Sequence, residues 1–518
     1  MPIKKIILSR ISNNSLFFLI FWFCSVLQAD GQFLPIYCTD GLRTSMLEAK
    51  YFAPFDLKIA AYHEEVPWEA QALSKYIQVP SLSGEERAAG AFFLELATLN
   101  GLHTLELPGP NNAFNAVVSL FPLDLKKPNV IFINHIDVVQ ANNTENWRYP
   151  PFSGAIEEGC VWGRGAYDNK GSAIIQLSAL IAVSQNELVQ DSDINISILL
   201  LSGEEVFSDG GAKFVAEHYL DVLNPLAFIG EGPAGVKGMV ASKPDQEVYT
   251  IALSHKSALW LKLSLEYESI GHGSVPPQRY PSKDLVEAIS KLLSKKQPIQ
   301  MNAYNASLLQ GLGDLEGGIK GFFMKNIHFL KPLSRSIIRK EPLYNAFFSN
   351  TISLTEIKTY PEGKNSIPYR AEAILDCRLL PETNQQKFIK QLKKDLKNPN
   401  IQVEIVQNTP SALPSSPTHP IYTLAESAIK EESPQAVVVP IMLPATIDSN
   451  FFRAKGYASF CFVPILMTKE LLSKVHGDNE RVPISSLVSG ADILTVFMNR
   501  LITNSQQLAN YIPGVNKL

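Results

Sequence analysis

Three short apolar runs in the first half of the chain each end in side chains that bind cations. That pattern constrains the fold more than any other feature. Pro128-Asn-Val-Ile-Phe-Ile-Asn134 runs into His135 and Asp137, and Ile194-Asn-Ile-Ser-Ile-Leu-Leu-Leu201 leads through Ser202-Gly203 into Glu204-Glu205. Leu226-Ala-Phe-Ile229 leads through Gly230 into Glu231. Short aliphatic runs bounded by turn residues suit strands covered on both faces of a parallel sheet. Open α/β sheets gather ligands beyond the carboxyl ends of such strands. Adjacent carboxylates there are costly unless cations neutralise them, because like charges at close range resist joint ionisation. A lone histidine would read as a satisfied core residue, and a lone Glu-Glu pair as a solvated surface step. Successive strand ends delivering His, Asp and three Glu point instead to a metal site. Trp162-Gly-Arg-Gly-Ala-Tyr-Asp168 adds a carboxylate in a Gly-rich turn, and Val475-His-Gly-Asp-Asn-Glu-Arg-Val482 adds His476 after the strand-like run Tyr457–Val463.

With these blocks in this order, the chain resembles the co-catalytic zinc hydrolases of the M20 group, which holds glutamate carboxypeptidases, aminoacylases and small-acyl deacylases. The phrasing Trp147-Arg-Tyr-Pro-Pro-Phe-Ser-Gly154, Trp162–Asp168 and His476-Gly-Asp-Asn-Glu-Arg481 is most similar to the carboxypeptidase S branch, which includes a secreted synthase/hydrolase of N-acyl amino acids. The resemblance runs from about Tyr62 to Ile502. It implies two Zn²⁺ per subunit, His135 and Glu231 on one, Glu205 and His476 on the other, with Asp168 bridging. Imidazole and carboxylate suit zinc, and catalytic zinc keeps a position open for water. The resemblance assigns Asp137 to fixing the His135 tautomer. It makes Glu204 the general base for a metal-bridged water that attacks an amide carbonyl.

A second group is implied to read the substrate. His272 lies in the Gly-rich turn Ser269–Pro277, Asn365 in Asn365-Ser-Ile-Pro368, and Arg378 ends the alternating run Ala371–Arg378. By resemblance, His272 stabilises the oxyanion while Asn365 and Arg378 hold a substrate carboxylate. Arginine can grip a carboxylate bidentately, and a donor aimed at a developing oxyanion is worth roughly 3–4 kcal/mol of barrier. The chain departs from the family pattern at Gly203 and Gly230, where Asp is common, and at Gln140 and Asn169. It departs again in Pro444–Phe452, where Asn450 stands for an arginine. Gly230 leaves Glu231 as the only carboxylate there, as in the deacylases, Gln140 and Asn169 are not ligand positions, and Asn450 bears on substrate preference more than on the reaction. The expected activity is hydrolysis of an amide or peptide bond to an amino acid with a free carboxylate. The alternatives are a small-acyl deacylase and an inactive binding protein that keeps the fold.

Chain order implies an α/β fold. Up to about residue 256, strands alternate with the helices Glu85–Asn100, Gly171–Ser184 and Gly211–Tyr219, a pattern that predicts a central, mostly parallel sheet. Residues 257–411 change character. Leu259–Glu266, Ala371–Leu379 and Ile401–Val406 alternate, with helices at Lys283–Ser294 and Gln385–Leu396, which predicts an inserted α+β lid, of the dimerisation type, with a β-α-β-β-α-β order. Gln297–Asn350 is expected to be an irregular elaborated loop or dimer contact. Residues 412–518 return to the catalytic domain, whose first part is 30–256. The resemblance implies a homodimer through the lid.

Composition fits a large globular enzyme: 518 residues, 46% of them apolar and 19% charged, can bury two cores. No basic, aromatic-interleaved patch of the nucleic-acid-binding kind stands out, so no nucleic-acid partner is expected. A Gly-rich phosphate loop and a Gly-x-Ser-x-Gly elbow are also absent from the sequence. Lys4, Lys5 and Arg10 precede the apolar run Leu16–Leu27 and Gln28-Ala29. That run is too short for a comfortable membrane span and reads as a signal peptide over residues 1–29. Its removal takes the net charge from −4 to −7 and predicts a secreted, periplasmic or lumenal enzyme, with an uncleaved membrane anchor as the alternative. Cys38, Cys160, Cys377 and Cys461 are too few for a disulfide framework.

Overall fold

A computed structural model describes residues 66–511, except 241, 269–270, 302, 327–334, 336–337, 341 and 362–364. The leader and Cys38 lie outside the described residues, and no described helix is long and apolar enough to cross a membrane. The chain divides into two compact units. One takes the chain up to Ile251, Pro417–Val438 and everything from Tyr457, and the other takes Ala252–Ser416 and Val439–Gly456.

The first unit holds strands β1 (His103–Pro108), β2 (Phe114–Ser119), β3 (Asn129–His135), β4 (Ile156–Glu157), β5 (Cys160–Trp162), β6 (Asn195–Leu201) and β7 (Pro225–Lys237). Strands β8 (Glu247–His255) and β13 (Val437–Leu443) carry the chain across the unit boundary, and β14 (Ala458–Met467) and β15 (Arg481–Pro483) complete the first unit. Its main sheet runs β1-β2-β6-β3-β7-β14. Pairs β3–β6, β3–β7 and β7–β14 are parallel, while β1 and β2 form an antiparallel edge. Every residue of β3 and β6 is buried, as expected for strands covered on both faces.

Register aligns the strand ends. His135 pairs with Leu201 at the end of β3, two residues before Gly203 turns into Glu204. Phe132 pairs with Ile229, so Glu231 lies level with Asn134 near the end of β3; it is not at the end of its own strand, as the sequence suggested, because β7 runs on to Lys237. Helices Lys170–Ser184 and Ile484–Thr503 pack on each other, and helix Arg87–Leu99 covers β1 and β2. Lys170, fully buried, anchors the start of its helix. Its ammonium donates to the carbonyls of Tyr76 (3.0 Å) and Val79 (2.6 Å), satisfying backbone groups at the end of helix Trp68–Ile77. Burial pushes that ammonium down to about 7. Gly171 is required beside it, because a Cβ there would meet the Ala166 carbonyl oxygen at 2.1 Å.

The second unit has β9 (Ser257–Glu266), β10 (Thr351–Tyr360), β11 (Arg370–Leu379) and β12 (Gln402–Asn408) in the order β10-β11-β9-β12, all antiparallel. That is the order of a β-α-β-β-α-β unit. Leu259, Leu261, Leu263 and Leu265 of β9 and Ala371, Ala373, Leu375 and Cys377 of β11 bury one face. Leu285, Ile289 and Leu292 of helix Pro281–Ser294 pack into it, with Leu392 and Leu396 of helix Gln385–Leu396.

The expectation of an irregular 297–350 is corrected. That segment contains helices Ala303–Glu316, Gly318–Lys325 and Pro342–Phe348. Its glycines, read as loop signals, allow close helix packing instead. A Cβ on Gly321 would lie 2.3 Å from the Gly313 oxygen, so the first two helices touch backbone to backbone, and Gly317 and Gly318 make the turn between them at φ 64° and 56°.

Candidate metal centre

All five expected metal ligands lie in the first unit and converge at the carboxyl edge of its sheet. His135 Nε2 is 3.0 Å from Asp168 Oδ1 and 3.1 Å from Glu231 Oε2. His476 Nε2 is 2.8 Å from Asp168 Oδ2 and 3.1 Å from Glu205 Oε1. Two groups of donor atoms result, His135/Asp168/Glu231 and Asp168/Glu205/His476, each within 4.8 Å, and Asp168 gives one oxygen to each imidazole. Glu204 forms a third such group with His135 and Glu205.

Local backbone explains the placement. Gly203 sits at φ 71°, a left-handed turn that ends β6 and starts Glu204-Glu205. His476 adopts φ 61°, a conformation that costs a side-chain-bearing residue about 1–2 kcal/mol and marks a constrained functional position. Asp137 has a broader role than orienting one ring. His135 Nδ1 meets the Asp137 backbone oxygen at 2.8 Å, nearer than its carboxylate at 3.5 Å, and a proton on Nδ1 leaves the Nε2 lone pair facing the centre. The Asp137 carboxylate accepts from Ser83 Oγ (2.7 Å), Glu204 N (3.0 Å) and Glu205 N (3.2 Å), and so fixes the Glu-Glu turn itself.

The electrostatics are those of crowded, buried acids set against two imidazoles. Burial raises the carboxyl groups of Glu205 and Glu231 above the usual range. Burial also works against charge on His135, but Glu231 and the bonds to Asp137 and Asp168 outweigh it and hold the ring well above its ordinary value. His476 is likewise opposed by burial and pushed up to about 11 by Glu205 and Asp168. Desolvation of Asp168 is overcome by the two imidazoles, which keep it below the usual carboxylate range. Glu205 Oε1 and His476 Nε2 are buried and lack an aligned hydrogen-bond partner. Two imidazoles and three carboxylates, one shared, form a donor set that fits a pair of Zn²⁺ ions.

Sequence reasoning missed the residues that clamp the two ligand loops together. Glu480, buried, accepts from Arg164 Nη1 at 2.6 Å and from the backbone N–H groups of Tyr167 (3.0 Å) and Asp168 (3.3 Å). Arg164 Nη2 donates to the His476 carbonyl at 3.2 Å, and its guanidinium lies 5.4 Å from the centre of the Trp147 ring. Arg481 pairs with Trp162 across β15 and β5, with its guanidinium over the indole at 4.5 Å. The Trp147, Trp162–Asp168 and His476–Arg481 blocks are thus one structural assembly. Their shared sequence phrasing was the available signal.

The expected substrate residues lie in the second unit, in two places. His272 and Asn365 are exposed on adjoining turns, with a bridge between His272 and Ser366 and a 2.7 Å bond from Gly273 N to the Asn365 oxygen. Both turns lie past Glu266, which pairs with Arg370, whereas Arg378 pairs with Ala258 at the other end of β11. Eight residues of strand separate the two ends, roughly 26 Å. Arg378 forms a fork to Asp376 (2.9 and 3.0 Å) and points Nη1 at Thr446 Oγ1, 3.4 Å away. Asn450 is buried, accepting from Arg453 Nη1 (2.9 Å) and donating to the Lys256 carbonyl (3.3 Å), so it supports its own loop.

Replacing Arg164 with Met leaves Glu480 buried without its cation. The expected loss is about 3–5 kcal/mol in denaturant unfolding and a 10- to 100-fold weaker hold on metal in chelator competition. Unchanged stability and affinity would show that the clamp does not position the ligands.

The model of Peptidase family M20/M25/M40 matches residues 131–500. A probable carboxypeptidase S-like 2 from Dictyostelium discoideum is 27% identical over 392 residues, covering 74% of this chain and 73% of its own length. The N-fatty-acyl-amino acid synthase/hydrolase PM20D1 from Mus musculus is 27% identical over 395 residues, with 74% and 75% covered. The M20 family metallo-carboxypeptidase Sso-CP2 from Sulfolobus solfataricus shares the fold, with a TM-score of 0.63 at 20% identity over 84% of this chain and 99% of that one. The family model takes in the strand ends, the Asp168 turn and the His476 loop alike, and the chain belongs to Peptidase family M20/M25/M40, a family of metal-dependent hydrolases.

Proposed function

We propose that this chain is a two-zinc amidohydrolase that releases an amino acid with a free α-carboxylate from a peptide or N-acyl amino acid. The observation that carries the reading is the pair of donor groups sharing Asp168, with the Glu204 carboxylate beside them. The carboxypeptidase S-like and N-fatty-acyl-amino acid synthase/hydrolase relatives support the substrate class. His135 and Glu231 would hold one ion, Glu205 and His476 the other, and Asp168 both. Bound there, two zinc ions lower the pKa of water and polarise the scissile carbonyl. Glu204 takes the proton of the attacking water and returns it to the leaving nitrogen. Asp137 keeps Glu204 in place through its backbone N–H.

Arg378 receives the substrate carboxylate, using the edge of the guanidinium that faces Thr446, and His272 steadies the oxyanion. The separation of Arg378 from His272 and Asn365 along β11 favours a homodimer in which the paired turns act from a second subunit. The leader supports export of the mature chain.

Glu204→Gln is expected to keep its metal and lower kcat by about 10²–10⁴. Near-normal turnover would remove Glu204 from the mechanism, and loss of metal would exchange its role with that of Glu205. For the carboxylate, an amidated substrate should lose roughly 2–4 kcal/mol of transition-state binding relative to its free acid, and Arg378→Ala should abolish that preference. Equal cleavage of both forms, or an unchanged ratio in the variant, would contradict the assignment.

A further inference from the structure

Helix Gly318–Lys325 of the second unit turns apolar side chains to solvent. Ile319, Phe322 and Phe323 fall at i, i+3 and i+4, so they share one face, and they are 78%, 61% and 46% exposed. The helix is fixed from the other side. Gly321 lies against Gly313 of helix Ala303–Glu316, which is itself seated by buried Ala306, Leu308, Leu309 and Leu312. An ion pair between Lys325 and Asp314 ties the two helices again. The apolar face is therefore held outward on a braced hairpin.

Its charge setting is equally unusual. Gly317–Lys340 contains six Lys or Arg and no Asp or Glu, in a chain whose net charge is −4. Sequence reading passed over this stretch because the overall balance conceals it. Among the described residues of that stretch, Arg335, Arg339 and Lys340 are exposed.

We propose that this hairpin is a docking element for an anionic phospholipid surface. An aliphatic and two aromatic side chains on one helix face, with exposed Arg335, Arg339 and Lys340 following in the sequence, have the chemistry of a helix that lies in the headgroup region. Basic residues close in sequence to such a helix are drawn to the negative potential of acidic lipids. A second copy fits this face poorly, since it would set like charges against each other. Nucleic acid would use the cations but leave Ile319 and both phenylalanines against water. The inference is independent of the proposed hydrolysis.

The test is sedimentation of the full chain with vesicles of phosphatidylcholine alone or mixed with phosphatidylglycerol. Binding to the mixed vesicles is expected, about tenfold or more above that to neutral ones and weakened by salt. The combined substitutions Ile319→Ser, Phe322→Ser and Phe323→Ser should abolish it, as should Arg339→Glu with Lys340→Glu. Both variants should keep the parent's circular-dichroism spectrum and unfolding midpoint, which shows that they fold. Three results would overturn the proposal: no preference for anionic vesicles, parental vesicle binding by the serine variant, or binding of a single-stranded oligonucleotide through these residues without vesicle binding. Dissociation of a dimer by the serine substitutions, with vesicle binding intact, would assign the face to a second copy and also overturn it.

Discussion

Asp168 presents one carboxylate oxygen to His135 and the other to His476, and the first unit is arranged around that sharing. Three buried carboxylates at such spacing repel one another in a medium that screens them poorly. They persist because positive charge is placed between them. The carboxylates in turn hold both imidazoles above their ordinary range. Divalent ions would supply the positive charge through the imidazole lone pairs instead, and the ring protons would leave.

Holding the donors against that repulsion falls to groups outside the donor set. Lys170 locks the helix that follows the Asp168 turn onto the helix Trp68–Ile77. Glu480 joins that turn to the His476 loop through Arg164 and two backbone N–H groups. Asp137 binds the Glu204-Glu205 turn to the end of β3. Each is buried and satisfied by several partners, the arrangement that makes a polar network rigid. The placement of the Glu204-Glu205 turn thus depends on Asp137, whose backbone oxygen also meets His135.

Much of this was legible in the sequence because the strands are simple. β3 and β6 are fully buried, so their composition alone marks them, and the donors follow directly at their ends. Strand β11 of the second unit alternates cleanly between buried and half-buried positions. β10 was not legible, since most of its residues are half-exposed or exposed and no face repeats. The helical hairpin was hidden by glycines that serve contact rather than flexibility. Spacing could not reveal that Arg378 sits at the far end of a strand from Asn365, nor that Glu480 reaches back to Arg164 more than three hundred residues away in sequence.

The central claim is that the cluster is a two-ion site with Asp168 in common. Calorimetric titration of metal-free protein with Zn²⁺ near neutral pH, in buffers of different protonation enthalpy and paired with elemental analysis, addresses it directly. The account predicts two ions per chain, protons released into the buffer because imidazoles held above their ordinary range must deprotonate to coordinate, affinity that rises with pH, and weakening of both ions together in Asp168→Ala. A single ion in a fully active sample, or an Asp168→Ala variant that loses one ion and keeps the other at parental affinity, would contradict it.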